Sequence, residues 1–187
     1  MKNYQITQWC SHFIREQIEP GDLCIDATAG NGHDTLLLCR LVGENGRVLA
    51  FDIQPEALNQ TCSRLTEAGV ADRAELILDS HSHMASYAAD NSVSCIVFNL
   101  GYLPSGDHTI ATRAETTLEA LGDALRLLKK GGMISLCIYS GGDSGFDERE
   151  AILPYLKTLD PKYFLVIMSE YYNRPNHPPI PVLILKL

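Results

Sequence analysis

Short, continuously apolar runs alternate along this chain with longer segments whose apolar residues recur at three- and four-residue spacing. The runs DLCIDATAG, GRVLAFDI, AELILDS, VSCIVFNL and GMISLCIYS are bounded by turn residues and read as strands buried on both faces. Residues 33–42, 55–68, 82–89 and 111–129 lie between them and read as helices, as does a leading segment over roughly 4–18. Such alternation predicts an α/β fold: a parallel sheet with helices on both faces.

The last third changes the pattern. A helix near 147–158 precedes YFLVIMSEYY, and the proline-rich NRPNHPPIP then leads straight into VLILKL, leaving no room for a crossover helix. Two strands joined in this way should be antiparallel neighbours. A doubly wound, Rossmann-like sheet that ends in an antiparallel hairpin resembles the class I S-adenosylmethionine-dependent methyltransferase architecture.

With 187 residues and 45% hydrophobic content, the chain can bury one core and is short for two, so a single domain over 1–187 is expected. No run of eighteen apolar residues occurs, and the N-terminal segment is amphipathic without a cleavage signature. It reads as neither signal peptide nor membrane anchor. Six cysteines are scattered without a C-x-x-C pair, which suits buried thiols in a reducing cytoplasm. The formal charge of -8 argues against broad attraction to phosphate, although Arg113, Lys129, Lys130, Lys162 and Arg174 could build a local basic contact.

The first strand closes on Asp26-Ala27-Thr28-Ala29-Gly30-Asn31-Gly32, with His33-Asp34-Thr35 opening a helix. Glycines 30 and 32 allow a tight turn and a close backbone approach to a ligand at the carboxyl edge of the sheet. Asp52 follows twenty residues beyond Gly32, where a carboxylate can accept from both ribose hydroxyls. That spacing serves NAD and S-adenosyl-L-methionine alike. Thr35 stands where a dinucleotide fingerprint wants its third glycine, and Asp26 suits a ligand with an ammonium group, so the pattern favours adenosylmethionine over an NAD-dependent oxidoreductase. Asp79-Ser80-His81 ends the third strand; Asp79 there either accepts from the adenine amine or caps the next helix. His81 and His83 form an H-x-H pair without a third ligand nearby, and no metal is expected.

The fourth strand ends in NLGYLPSGDH. It resembles the Asn-Pro-Pro-Tyr loop of methyltransferases that act on planar amino groups, with Asn99 and Tyr102 matching and Leu and Gly in place of the prolines. In those enzymes the asparagine holds the amine and the aromatic ring stacks on the base. Asp107 and His108, later in the loop, are candidate proton acceptors or turn residues. The set DATAGNGHDT, AFDIQPEAL, LDSHSHM, NLGYLPSGDH and NRPNHPP resembles the bacterial YtqB-like (MnmM-like) rRNA methylase family over nearly the whole chain. That resemblance implies a tRNA-modifying methyltransferase whose acceptor is the amine of 5-aminomethyl-2-thiouridine at the wobble position. The tRNA anticodon stem-loop is then the partner, and a homodimer is left open. A ribosomal RNA or small-molecule N-methyltransferase would use the same site, while a noncatalytic binding module would not need Asn99. Asn173, Arg174 and His177 of the late loop are expected on the RNA-facing rim.

Overall fold

The computed structural model describes residues 5–101, 112–139 and 142–187. Its frame is a seven-stranded sheet made of β1 (Leu23–Asp26), β2 (Arg47–Asp52), β3 (Ala74–Leu78), β4 (Val93–Asn99), β5 (Leu128–Ile138), β6 (Phe164–Met168) and β7 (Ile180–Lys186). The spatial order is β3-β2-β1-β4-β5-β7-β6. The first five strands pair in parallel, and β7 runs antiparallel to both β5 and β6. The antiparallel ending expected from NRPNHPPIP is therefore present, with β7 inserted between β5 and β6.

The inner strands β1, β2, β4, β5 and β7 are apolar on both faces because both are covered, whereas the edge strands β3 and β6 stay largely exposed. On one side α1 (Ile6–Gln17), α2 (His33–Val42) and α3 (Pro55–Glu67) enclose a core that includes Cys10, Ile14, Leu38, Val48, Val97 and Leu183. On the other, α4 (Ala114–Leu127) and α5 (Gly142–Lys157) pack Leu121, Leu127 and Ile152 against Phe98, Ile134 and Ile184. Full burial of a side chain such as Phe98 stabilises the fold by about 1.5–3 kcal/mol.

Three local features differ from the expectations. The helix expected over 82–89 is a 3-10 turn, His81–Ser86, capped by Ser80, whose Oγ accepts from Ser82 N. β5 begins at Leu128, four residues before the expected GMISLCIYS run, with an irregular register between Val93 and Cys95 on β4. The exception among the expected buried thiols is Cys62, which is exposed; all six cysteines are free.

Candidate active site

Alternation of strand and helix brings the carboxyl ends of β3, β2, β1 and β4 into one line, so Asp79, Asp52, the loop after Asp26, and Asn99 share a crevice edge. The loop after β1 is tied to both neighbouring strands: Ala27 N donates to Val97 O, and Ala29 N to Phe51 O. Gly32 has φ +75, and a Cβ there would lie 2.8 Å from the Thr61 backbone. No side chain fits without moving α3. Helix α3 also braces the loop directly, as Thr61 Oγ1 donates to Gly30 O at 3.1 Å and Arg64 Nε to Asn31 O at 2.6 Å.

Asp52 accepts from Gly30 N and Gln54 N, each at 2.9 Å. A carboxylate has about four acceptor directions, so two are left for a pair of hydroxyls. Burial raises its pKa, and backbone donors at Gln54, Gly30 and Ile53 pull it back. Asp79, at the other end of the line, accepts from Ser80 N, His83 Nδ1 and Tyr87 Oη at 2.7, 2.7 and 3.0 Å. The hydrogen bond from His83 holds its carboxyl below the ordinary range. The capping role considered for Asp79 belongs to Ser80. His81 turns inward, its ring edge-on to Phe98 at 6.0 Å and its buried Nε2 without a hydrogen-bond partner. Burial pushes its pKa down to about 4, so the imidazole is neutral near pH 7.

Asp26 is held within the loop it opens. Its side chain is wholly buried, with Oδ2 accepting from Thr35 Oγ1 at 2.6 Å and Oδ1 from Thr28 N at 3.2 Å. Loss of water, followed by the nearby Asp34 charge, pushes its pKa up to about 7. Asp26 thus organises Thr28 and Thr35, and the neighbouring carboxylate, Asp34, is bonded to Asn99. Asp34 Oδ2 accepts from Asn99 Nδ2 at 2.6 Å, while Thr28 Oγ1 accepts from Asn99 N at 2.8 Å. An ionised carboxylate only accepts, so the Asn99 amide must present its NH2 to Asp34 and turn its oxygen the other way. Burial raises the Asp34 pKa, and the Asn99 hydrogen bond opposes it.

Beyond Asn99, the loop that carries Tyr102, Asp107 and His108 lies outside the described residues. Its two ends are joined. Thr112 N donates to Gly101 O at 3.1 Å, and Thr112 Oγ1 accepts from Gly101 N at 2.9 Å while donating to Glu148 Oε2 at 2.7 Å. Glu148, 1% exposed, also accepts from Thr117 at 2.5 Å. Sequence patterning missed this anchor, because one acid on a helix reads as a surface charge. Tyr139, just past β5, is a second omission: it stands beside Gly101.

In the late loop, Asn173 and Arg174 are exposed, and Arg174 N donates to Tyr171 O. The His177 ring packs edge-on against Phe146 of α5, 5.6 Å between centroids. Lys129 and Lys130 sit at the start of β5, where Lys129 pairs with Asp22 at 2.7 Å, and Lys162 precedes β6. These three lie at the edge of the sheet opposite the crevice, which removes them from the candidate basic contacts. Among the described residues no group of three or more His, Cys, Asp or Glu is placed to hold a metal ion, and no helix is long and apolar enough to cross a membrane.

The family model described as "Putative rRNA methylase" matches residues 48–185. This chain belongs to that family. A Clostridium thermocellum structure of the same description is 46% identical, with both chains covered in full and a TM-score of 0.97. A Streptococcus mutans protein solved in complex with SAH is 34% identical over 99% of each chain, with a TM-score of 0.90. The chloroplastic tRNA (mnm(5)s(2)U34)-methyltransferase of Arabidopsis thaliana is 39% identical over 90% of this chain, which spans 65% of that relative's length. Family and fold agree with the sequence resemblance, and the sheet is that of class I methyltransferases.

Proposed function

We propose that this chain is a cytoplasmic S-adenosylmethionine-dependent N-methyltransferase that methylates the amine of 5-aminomethyl-2-thiouridine at the tRNA wobble position, giving the 5-methylaminomethyl product. The observation that carries the proposal is the Asn99–Asp34 pair. It stands at the acceptor end of a crevice whose middle holds Asp52, a carboxylate with acceptor capacity left for a ligand. The named tRNA methyltransferase relative and the SAH-bound neighbour support the substrate and the cofactor respectively.

The donor set fits the cofactor. Two acceptor directions on Asp52 match a ribose diol, Gly30 and Gly32 let the loop backbone come close, and Asp79 and Ser80 face the adenine end. When bound, adenosylmethionine supplies an electrophilic methyl group on a sulfonium. The protein's own work is to hold a nitrogen lone pair in line with that methyl and to exclude water. Asn99 Oδ1, fixed by Asp34, accepts an N–H of the amine, and Tyr102 stacks on the base. The amine must be neutral to attack, and an ammonium gives up its proton to a base at this end. Asp34, with a pKa raised by burial, is suited to that role, as are Asp107 and His108 of the acceptor loop. Asn173, Arg174 and His177 form the RNA-facing rim. The exposed apolar residues of β6, Leu165, Ile167 and Met168, suit a homodimer.

A cofactor titration tests the first half of this reading. Calorimetry should show binding of adenosylmethionine and SAH and none of NAD in the same range. Asp52→Ala should weaken SAH by about 1–3 kcal/mol, the cost of leaving its donors unpaired. Equal affinity in wild type and variant would remove Asp52 from the site.

A further inference from the structure

A second feature of the same edge lies outside the crevice. Ile6 and Trp9 of α1, Ser169, Glu170 and Tyr171 after β6, and Pro181 of β7 line an open cavity of about 160 Å³. Strand register fixes its position. Asn99 pairs with Cys137, and Cys137 pairs with Pro181, so the three form one row across β4, β5 and β7. At about 4.8 Å between strands, Pro181 lies about 10 Å from Asn99. Residues in such a row face the same side of the sheet. Asn99 bonds Asp34 of α2, Cys137 lies against Cys10 of α1, and Pro181 faces Trp9 of α1.

The cavity walls restrict what it can hold. Trp9 and Tyr171 are half-buried, each with an aromatic surface left to a ligand, while Ile6 and Pro181 close the apolar part. The polar contribution is Ser169 and the exposed carboxylate of Glu170, which repels a phosphate and accepts from a ring N–H or an exocyclic amine. The cations that could have held a backbone on this side, Lys129, Lys130 and Lys162, are at the opposite edge. With a net charge of -8, and Arg174 beside Tyr171 suited to a single phosphate, most of the RNA contact here has to come from bases.

We propose that this cavity receives the unstacked base of the nucleotide next to the methylated one, held by stacking on Trp9 and Tyr171 with its N–H edge toward Glu170. The site is separate from the cofactor crevice, and the proposal rests on RNA being the acceptor. It explains how an acidic protein holds a single-stranded loop: two bases are splayed out, one toward Asn99 and one into the aromatic cavity.

The test uses the full chain and synthetic anticodon stem-loops with 2-aminopurine on the 5′ or the 3′ side of the target nucleotide. Wild-type protein should change the emission of one of the two labels, and Trp9→Ala and Tyr171→Ala should each abolish that change. Both variants should raise KM for the unlabelled stem-loop roughly ten- to a hundredfold, the range for losing one base–aromatic stack. Trp9→Phe should recover most of the loss, and unchanged SAH affinity shows that the variants are folded. If wild type binds and methylates the stem-loop while both alanine variants keep its KM and label response, the cavity is not a base site. If wild type binds SAH but no stem-loop, the RNA reading itself fails and this proposal falls with it.

Discussion

Glu148 is the most informative residue to perturb, because it touches nothing in the crevice and yet ties down the acceptor loop. Its carboxylate takes hydroxyl donors from Thr112 and Thr117, and Thr112 in turn holds Gly101, two residues past Asn99. Glu148→Ala leaves two hydroxyls without their acceptor. At roughly 1–3 kcal/mol for each unsatisfied buried group, stability should fall by about 2–6 kcal/mol. The catalytic effect is separable from that loss. Thr112→Val breaks the clamp at Gly101, whereas Thr117→Val removes only the more remote donor. If loop position governs nucleophile alignment, Thr112→Val should lower kcat about tenfold or more, since a misplacement near 1 Å can cost about a hundredfold. Thr117→Val should lower the melting temperature with kcat nearly unchanged. SAH affinity should stay within about twofold in both, because Asp52 and Gly30 are in the other half of the crevice. Stopped-flow methyl transfer at saturating cofactor and RNA, paired with thermal melts, reads both quantities. Equal kcat in the two valine variants, with equal loss of stability, would refute the clamp and leave Glu148 a purely structural acid.

Other perturbations address separate links. Asn99→Ala should lower the methyl-transfer rate far more than it weakens SAH, and Asp34→Asn should act in the same direction by releasing the amide; parallel losses of rate and SAH affinity would point to a cofactor role instead. Asp26 has a folded pKa of about 7 against an ordinary 3.8, so its contribution to stability is fully present below about pH 4 and is lost as pH rises through 7. The full effect is about 4 kcal/mol, and Asp26→Asn should flatten urea stability between pH 5 and 8; an unchanged slope would contradict it. Arg174→Ala should weaken stem-loop binding and reduce its salt slope by about one phosphate contact, with SAH binding intact; a salt slope equal to wild type would remove Arg174 from the rim.

Legibility in the sequence followed the range of the interaction. Buried parallel strands are continuous apolar runs, so β1 to β4 could be placed from local pattern, and the prolines between β6 and β7 showed that no crossover helix intervenes. Asp52 and Asn99 were legible as polar residues ending such runs. β5 was misjudged at its start because Lys129, Lys130 and two glycines interrupt the apolar run, although Leu128 still pairs with Val93. The Asp34–Asn99 and Thr112–Glu148 bonds depend on chain segments that only the folded sheet brings together. The contacts of Asp26 were not legible for a related reason: burial and Thr35 decide which way it faces.

The central claim is that a nitrogen held at Asn99 receives the methyl group. The most direct measurement supplies the purified protein with trideuteriomethyl-labelled adenosylmethionine and three anticodon stem-loops, unmodified, 5-aminomethyl-2-thiouridine-containing and already methylated, and identifies the nucleosides by mass. One labelled methyl is expected on the side-chain nitrogen of the aminomethyl substrate, none on the unmodified RNA, and loss of that product in Asn99→Ala. Label on a ring atom, label on the unmodified stem-loop, or transfer to ribosomal RNA in preference to the aminomethyl substrate would contradict it.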